Sequence, residues 1–360
     1  MELWNWHRAA LLTFAALPLA LRAERAYRAL DELPSTAALS TAPSLSIIVP
    51  ARNEAHNLPE LLASLNRLRY PGPVEIIVAD DGSTDGTGDI AAAFGAAVVR
   101  IEGPPPGWLG KPHACHRGAE HARGEWLLFT DADLVHDPDG PRRAVAYSES
   151  HRLDAASLFV AQQYHNMLDR LALTVAFEAL FAGRPPTNFV LNGQYILIRR
   201  SVYEASGGFA AVRNDALEDL ALGRLLKGRR YRVALLRTES AAQVRMYADA
   251  RQLWRGMTRL GAGALPWSGA DSIFTVLFIS AVMSPLIVAT GVGTRRLAPR
   301  WLPLTWAAAA LSTLSWTRRS GSSVAALLTP IGALLVQLAA LWGLIARLLG
   351  IGVAWKERRV

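Results

Sequence analysis

"LLFTDADL" (Leu127–Leu134) is an apolar run that ends in two carboxylates. The aliphatic and aromatic residues that lead into Thr130 are typical of a buried strand, and Asp131 and Asp133 follow where that strand would end. A buried strand that delivers two carboxylates to its C-terminal end needs an explanation. Their role depends on what the neighbouring segments bring to the same edge of the sheet.

Strand and helix patterns alternate along the chain up to this stretch. The short β-rich runs are 44–50, 74–80, 96–101 and 126–130, and the helical patterns are 57–68, 86–94 and 112–122. Alternation of this kind predicts an α/β domain with a mostly parallel sheet and helices on both of its faces. In such sheets, ligands bind at the carboxyl ends of the strands.

Acidic side chains follow three of the four predicted strands. The first strand leads into Pro50–Glu54, the second into Asp80–Gly86, and the fourth into Asp131 and Asp133. Taken singly, the second and fourth of these are also typical of polar, capped turns. Carboxylates that converge repel one another unless a cation lies among them, and Mg²⁺ takes carboxylate and phosphate oxygens as ligands. The pattern therefore predicts a divalent cation that binds a diphosphate.

The composition indicates a membrane protein. Of the 360 residues, 51% are hydrophobic, and the net charge is +8. Residues 272–294, 301–317 and 320–346 carry no charge, and arginines separate them. The first and last segments are long enough to cross a bilayer, and 301–317 lies at the lower limit. The single cysteine, Cys115, excludes an internal disulfide framework and fits a reducing compartment.

The N-terminal residues 1–30 are predicted to form a membrane anchor. Residues 3–21 are just long enough to cross if Arg8 reaches the interface, and the alternative is a cleaved signal peptide. Arg22, Arg25 and Arg28 follow directly, which favours an uncleaved anchor with this end in the cytoplasm.

The arginine clusters also predict the topology of the C-terminal region, 272–346. If all three segments cross, then Arg295, Arg296 and Arg300 lie outside together with the terminal cluster of Lys356, Arg358 and Arg359. That arrangement breaks the positive-inside rule twice. The rule favours a re-entrant or interfacial 272–294, which leaves Arg318 and Arg319 outside.

Six motifs in order resemble the inverting, nucleotide-diphosphosugar-dependent glycosyltransferases of family 2, which have the GT-A fold. They are SIIVPARNE, VADDGSTDGT, GWLGKPHA, FTDADL, GGF and ALEDLALG, and they predict a catalytic domain over residues 44–250. GKPHACHRG, VRMYADARQLWRG and VAWKERR are similar to the membrane-bound branch that glycosylates carotenoids, such as the diaponeurosporenoate glycosyltransferases.

The resemblance implies a role for each matched position. The uridine pocket would be lined by Pro50, Ala51, Arg52 and Glu54, and the uracil ring would donate a hydrogen bond to Asp81. Lys111 would approach the diphosphate, Asp131 would lie near the ribose and the metal, and Asp133 would bind the metal. Asp219 would be the catalytic base, with Glu218 beside it. For the last two residues, the alternative is a pair of acids that offsets the dipole in the first turn of a helix.

The chain departs from the processive synthases of the family at one motif. Those enzymes carry Gln-x-x-Arg-Trp after the base, whereas this chain has Gln243-Val244-Arg245-Met246-Tyr247. Arg245 would supply the charge from a shifted position, and Tyr247 would offer a stacking face. The departure argues against polymer synthesis.

Two segments are candidates for contact with a lipid-soluble acceptor. Residues 166–183 form a helical pattern with more apolar surface than a solvated face needs, and the alternative is an ordinary core helix. Residues 249–260 place Leu253, Trp254, Met257 and Leu260 on one stripe and arginines on another, which predicts an interfacial helix within 251–268.

The sequence therefore predicts a multi-pass protein of the cytoplasmic membrane whose catalytic domain lies in the cytoplasm. With Mg²⁺ or Mn²⁺ it would move one hexose, with UDP-glucose as the expected donor, to an isoprenoid or carotenoid-like lipid. No nucleic acid partner is expected. The alternatives are a processive polysaccharide synthase, a polyprenyl-phosphate glycosyltransferase, and a membrane scaffold or transporter that retains a nucleotide-binding domain. The acid pair at 218–219 favours a hydroxyl acceptor, because a carboxylate acceptor needs no base.

Overall fold

The computed structural model describes residues 6–36, 39, 42–183, 191–264, 270–351, 354–355 and 358–359. The chain divides into two compact units. One unit, called here the α/β unit, comprises Leu30–Gln162 and Asn188–Arg245. The other, called the helical unit, comprises Met1–Ala29, Gln163–Thr187 and Met246–Val360.

The α/β unit contains a seven-stranded and a three-stranded sheet. Its strands are β1 (Leu45–Ala51), β2 (Val74–Asp80), β3 (Ala97–Arg100), β4 (Trp126–Thr130), β5 (Leu134–His136), β6 (Ala155–Phe159), β7 (Ala161–Gln162), β8 (Tyr195–Arg199), β9 (Val233–Arg237) and β10 (Ala242–Val244). The larger sheet has the order β3-β2-β1-β4-β8-β6-β9, and the smaller has the order β5-β10-β7. In the larger sheet β8 alone runs antiparallel to its neighbours, so the predicted mostly parallel sheet is confirmed.

Burial on both faces explains why the central strands read as unbroken apolar runs. In β1, Leu45, Ile47, Ile48 and Val49 are all buried, and all five residues of β4 are buried. Strands buried on both faces show continuous apolar runs rather than alternation. The helices of this unit are α3 (Leu58–Leu65), α4 (Thr87–Ala93), α5 (Gly110–Glu120), α6 (Gly140–Ser150), α8 (Arg200–Ser206) and α9 (Glu218–Gly228), with a 3₁₀ turn at Gly208–Val212.

The helical unit gathers segments that are far apart in the sequence. Its helices are α1 (Trp6–Phe14), α2 (Ala16–Arg28), α7 (Met167–Gly183), α10 (Ala250–Ala264), α11 (Ala270–Gly293), α12 (Trp301–Arg319) and α13 (Thr329–Leu348), with a 3₁₀ turn at Val324–Leu328 and a hairpin of β11 (Ala354–Trp355) and β12 (Arg358–Arg359). Helix α7 packs against α2, α11, α12 and α13. The predicted continuous domain 44–250 is therefore interrupted, because α7 is buried among helices of this unit.

Aromatic and ionic contacts define the two ends of the helical unit. At one end, the Arg296 guanidinium lies 5.9 Å from the Trp6 ring, and His7 meets Trp301 edge-on at 6.1 Å. At the other end, Arg319 donates two hydrogen bonds to Glu24 at 2.6 and 2.7 Å. Helices α1 and α2 therefore run in the same direction as α12.

Helix α11 runs in the opposite direction. Near its start, the Phe274 ring lies 5.0 Å beneath the Arg22 guanidinium, and near its end Gly291 approaches Trp6. The helix has 24 residues and continues through Pro285 without a break, so it is about 36 Å long at 1.5 Å per residue. An unbroken helix of this length is not a re-entrant hairpin, so that form of the prediction for 272–294 is wrong.

In the part of the chain that the structure describes, two helical segments are long and apolar enough to cross a membrane, Ser272–Gly293 and Val324–Leu348. They correspond to the predicted segments 272–294 and 320–346. The predicted segment 301–317 forms α12 but does not reach the same hydropathy. In the segment predicted to be an N-terminal anchor, the described residues form two consecutive helices joined at Ala15, which itself keeps a right-handed helical conformation. Residues 1–5 and Lys356, which belong to earlier predictions, lie outside the described residues.

The stripe predicted to face the membrane on residues 249–260 is largely covered by protein. Leu253 and Met257 are 1% and 2% exposed, whereas Leu260 is 42% exposed. Helix α10 packs closely on α13, where Gly261 approaches the backbone of Ala340. Leu253 and Met257 are thus core residues. The interfacial role of this helix remains a prediction for its exposed residues, and residues 265–268 lie outside the described part.

Candidate active site

The acidic segments meet at one edge of the larger sheet because their strands are neighbours. β1 lies between β2 and β4 and is parallel to both. These three strands end at Ala51, Asp80 and Thr130, so the acids that follow them emerge at the same edge. The predicted convergence of the three strand ends follows from this order.

Hydrogen bonds lock the segment after β1 to the turn after β2. The backbone N–H groups of Asn53, Glu54 and Ala55 donate to side-chain oxygens of Ser83, Thr87 and Asp85, at 3.0, 2.9 and 2.9 Å. Asn53 has a φ of 50°, a left-handed conformation that asparagine tolerates better than most residues. The two loops therefore form one rigid wall, of which Pro50, Ala51 and Glu54 are part.

The turn after β2 uses two of its three acids for its own structure. Asp80 accepts a hydrogen bond from the Ser83 N–H at 3.0 Å, and Asp85 accepts two from Thr87 at 2.6 and 3.1 Å. Asp81 is 3% exposed, and its backbone is held on both sides: its N–H donates to the Ala51 carbonyl at 2.8 Å, and its carbonyl accepts from Arg52 at 2.6 Å. The structure thus separates the two structural acids from Asp81, the residue matched to uracil binding.

Lys111, near the start of α5, connects the other side of the site. Its ammonium Nζ lies 2.6 Å from Asp131 Oδ1 and 3.4 Å from Glu218 Oε1, and it donates to the Gly193 carbonyl at 3.5 Å. Burial alone would lower the pKa of Lys111, but the two carboxylates outweigh burial and raise it. Lys111 is therefore a fixed cation within a group of acids.

Asp219 lies in the same cluster but is held by backbone groups. Its Oδ2 accepts the Gly193 N–H at 2.7 Å, and its Oδ1 accepts the N–H of Leu220 at 2.8 Å. Among the described residues, Lys111 forms ion pairs with Asp131 and Glu218 but not with Asp219. A Cβ atom at position 193 would lie 3.0 Å from Asp219 Oδ2 and 3.3 Å from Lys111 Nζ, so a larger residue there would push both side chains away by a few tenths of an ångström.

The two adjacent acids at the start of α9 consequently differ in chemistry. Burial and the neighbouring Glu218 carboxylate raise the pKa of Asp219 to about 6, against the opposing charge of Lys111. Glu218 is 6% exposed and is paired with Lys111. Asp219 is therefore suited to accept a proton near neutral pH, whereas Glu218 holds the cation.

Asp131 and Asp133 provide the oxygen ligands expected of a magnesium or manganese site. Asp133 Oδ1 is buried and has no hydrogen-bond partner in the described part of the chain. Burial, together with the Asp131 charge, raises the pKa of Asp133 to about 7. No group of three or more His, Cys, Asp or Glu side chains suited to a metal occurs among the described residues. The two carboxylates thus fit a hard cation that takes its other ligands from a diphosphate.

Arg245 and Tyr247 are the remaining residues of the predicted nucleotide-sugar site. The Arg245 N–H donates to the Asp133 carbonyl at 3.2 Å, while its guanidinium lies 3.7 Å from Glu60. Tyr247 belongs to the helical unit, where its ring is 6% exposed and packs against Gly256. The backbone of Arg245 thus contacts Asp133, while its side chain contacts Glu60. The stacking role of Tyr247 stays a prediction.

Comparison with known proteins agrees with this geometry. Residues 46–220 match the family model described as glycosyl transferase family 2. That range contains both loops of the first wall and all five charged residues of the cluster. Residues 46–220 are thus similar to a family 2 glycosyltransferase domain.

The chain is also similar to curated and solved proteins. The chain is 31% identical over 237 residues to 4,4'-diaponeurosporenoate glycosyltransferase of Staphylococcus aureus strain MRSA252, a match that covers 61% of this chain and 62% of the relative. The same protein of strain USA300 matches at 31% over 238 residues. The chain thus spans 62% of the length of these relatives.

A solved structure shows the same fold. It is the mannosyltransferase PcManGT from Pyrobaculum calidifontis in complex with GDP-Man and Mn²⁺, which superposes with a TM-score of 0.59 at 19% identity. The superposition covers 91% of this chain and 99% of that chain. The GT-A fold predicted from the motifs is confirmed.

The sequence prediction missed one part of the candidate site, the turn Asn192–Gln194 before β8. Besides binding Asp219 and Lys111 through Gly193, the turn accepts the Asp131 N–H on the Gln194 carbonyl at 3.2 Å. The available signal was Asn192-Gly193, a turn-forming pair, directly before the β-rich run YILIR. Nothing local in that run indicates that β8 inserts antiparallel between β4 and β6, beside Asp131.

Proposed function

We propose that this chain transfers one hexose from a nucleotide diphosphosugar to the hydroxyl group of an isoprenoid lipid, with inversion at the anomeric carbon. UDP-glucose is the first candidate donor. The isoprenoid class is supported by the name of the Staphylococcus relatives, and a nucleotide sugar with a divalent ion by the PcManGT complex. The helical unit with its two candidate membrane spans would hold the enzyme where such lipids reside.

The single observation that carries the proposal is the placement of Asp219. This carboxylate is oriented by two backbone N–H groups, is not ion-paired with Lys111, and has a pKa raised to about 6. A hydroxyl acceptor must lose its proton as its oxygen bonds to the sugar, and a positioned base of near-neutral pKa serves that purpose.

The residues of the cluster would act together in one displacement. Asp219 takes the hydroxyl proton while the acceptor oxygen forms a bond to the anomeric carbon. The bond between that carbon and the diphosphate oxygen breaks on the opposite face, and its electron pair remains with the diphosphate. Lys111 offers positive charge to the leaving group, and Glu218 keeps Lys111 in place. A Mg²⁺ or Mn²⁺ ion held by Asp131 and Asp133 supplies further Lewis-acid charge to the diphosphate when bound.

Purified full-length protein with radiolabelled UDP-glucose, Mn²⁺ and a series of lipid acceptors tests the proposal. The expected result is a labelled lipid bearing one hexose and an equimolar amount of UDP. A labelled polymer would instead establish a processive synthase, and a lipid phosphate ester a polyprenyl-phosphate glycosyltransferase. Absence of UDP release with every nucleotide sugar would leave only the scaffold or transporter and overturn the proposal.

The pH dependence of the reaction follows from the pKa of Asp219. The base works as a carboxylate, so activity is present above its pKa and is lost as the pH falls. With the pKa at about 6, we expect kcat to fall tenfold for each pH unit below that value. Binding of UDP and Mn²⁺, measured over the same range, separates this effect from titration at Asp133. A flat profile between pH 5 and about 8 would contradict the role of Asp219.

We further propose that α11 and α12 both cross the membrane, in opposite directions. The sequence places Arg22, Arg25 and Arg28 inside but Arg318 and Arg319 outside, and these expectations conflict because Arg319 pairs with Glu24. The pairing supports an inside location for Arg318 and Arg319, and an outside location for Arg295, Arg296 and Arg300.

Cysteine labelling tests this topology, because the single native cysteine, Cys115, is buried. On intact cells, a membrane-impermeant maleimide is expected to label Thr294→Cys, whereas Ser323→Cys should react only after permeabilisation. The reverse pattern would restore the arrangement first predicted from the arginine clusters. Labelling of both positions on intact cells would mean that α12 does not cross.

A further inference from the structure

Lys111 occupies the place in the cluster where a cation is electrostatically required. Four acids, Asp131, Asp133, Glu218 and Asp219, belong to this group, and Lys111 is 2.6 Å from the first and 3.4 Å from the third. Its side chain is 28% exposed, so water screens these contacts only in part. Asp131 is also one of the two side chains assigned to the divalent ion.

We propose that Lys111 is an internal counter-ion that keeps the divalent metal out until the nucleotide diphosphate arrives. The inference rests on the proposed function, since it concerns the donor site. A free metal ion must displace an ammonium that is already in contact with Asp131. A metal-diphosphate complex brings its own anion, and the Lys111 ammonium can form an ion pair with that anion in place of Asp131. Metal and nucleotide therefore bind together, and the metal alone binds poorly.

The structure provides an anchor for this exchange. Glu218, in the first turn of α9, lies 3.4 Å from Lys111 Nζ through its Oε1, and the Gly193 carbonyl accepts a hydrogen bond from Lys111 at 3.5 Å. When Lys111 leaves Asp131, these two groups still hold it within the cluster. The lysine thus moves between partners without having to leave the site for bulk solvent.

Binding of Mn²⁺ to the full-length protein, followed by electron paramagnetic resonance with and without UDP, tests the inference. Wild-type protein is expected to bind Mn²⁺ weakly alone and at least tenfold more tightly with UDP. Lys111→Met should bind Mn²⁺ alone at least tenfold more tightly than wild type, because the competing ammonium is gone, yet it should bind Mn²⁺ with UDP more weakly. A gain in affinity for Mn²⁺ alone together with a loss in affinity for Mn²⁺ with UDP is expected only if Lys111 binds both Asp131 and the diphosphate.

Two further variants control for charge and folding. Lys111→Arg keeps the positive charge and is expected to keep weak binding of Mn²⁺ alone. Lys227→Met removes the same charge from the exposed side of α9 and should leave both affinities unchanged.

The outcomes separate the inference from the proposed function. If Lys111→Met binds Mn²⁺ alone no more tightly than wild type does, the counter-ion role is wrong, even if transfer of hexose is demonstrated. Failure of every variant to bind Mn²⁺, with or without UDP, overturns the metal assignment and the counter-ion role together. Tight binding of Mn²⁺ by wild type in the absence of UDP also refutes the exchange.

Discussion

Asp219→Asn is expected to lower kcat by about 100-fold or more while leaving the affinity for the nucleotide sugar nearly unchanged. The amide keeps the shape of the carboxylate, but it cannot take a proton, and its single oxygen can accept only one of the Gly193 and Leu220 N–H groups. Single-turnover transfer and isothermal titration with UDP measure the two quantities separately.

Glu218→Gln is the matched comparison, because the two acids are adjacent and each substitution replaces a carboxylate with an amide. Glu218 pairs with Lys111, so its loss should weaken binding of the diphosphate and reduce kcat less than Asp219→Asn does. An equal loss of kcat in both variants, with unchanged UDP affinity, would contradict the separate roles of base and anchor.

The product of Asp219→Asn also reports on the acceptor. The curated relatives are named for diaponeurosporenoate, a carboxylate that at neutral pH attacks without a base. If Asp219→Asn stays nearly as fast as wild type, or if mild alkali cleaves the product as a glycosyl ester, the acceptor is a carboxylate and the hydroxyl assignment is wrong.

Asp133→Asn is expected to abolish metal-dependent transfer, a loss of about 100-fold or more, on the scale of one lost electrostatic contact in a transition state. Asp133 presents a buried oxygen without a partner in the described part of the chain, and an amide oxygen there is a weaker metal ligand. Transfer assays with graded Mn²⁺ measure the effect. Full activity in this variant would refute the metal assignment.

Thermal unfolding of Asp133→Asn distinguishes loss of metal binding from loss of fold. Because burial raises the pKa of Asp133 to about 7, its ionisation opposes folding as the pH rises above the ordinary carboxyl range. The variant should therefore match or exceed the Tm of metal-free wild type at pH values above that pKa. Mn²⁺ with UDP should raise the Tm of wild type but not of the variant. Asp89→Asn, at a residue with a 79% exposed side chain, is the control and should behave as wild type.

The sequence predicted the first half of the α/β unit closely. Strands β1 to β4 and helices α3, α4 and α5 lie where the alternating patterns place them, within a few residues. These elements follow one another in the chain, and the spacing of their apolar residues reflects which face of each element is buried. That spacing can be read from the local sequence. The strand β8 was not predicted, because its position between β4 and β6 depends on pairing with strands about 40 to 70 residues away.

The charged residues of the site were also predicted, through the six motifs and their order. Asp131, Asp133, Lys111, Glu218 and Asp219 are all present in one unit. Sequence alone did not separate the roles of Glu218 and Asp219, because their difference arises from the Gly193 turn and from Lys111, both distant in the chain. Nor did it show that Asp80 and Asp85 accept hydrogen bonds within their own turn.

The sequence by itself therefore determined the α/β class, the resemblance to family 2 glycosyltransferases, the acidic edge and the apolar segments, since strand and helix periodicity, motif order and hydropathy are local properties. Only the tertiary structure decided which acid Lys111 holds, that α7 packs with the helices at both ends of the chain, and that Arg319 lies beside Glu24. These features depend on contacts between residues up to about 300 positions apart, and no local pattern encodes the free energy of such contacts before the chain has folded.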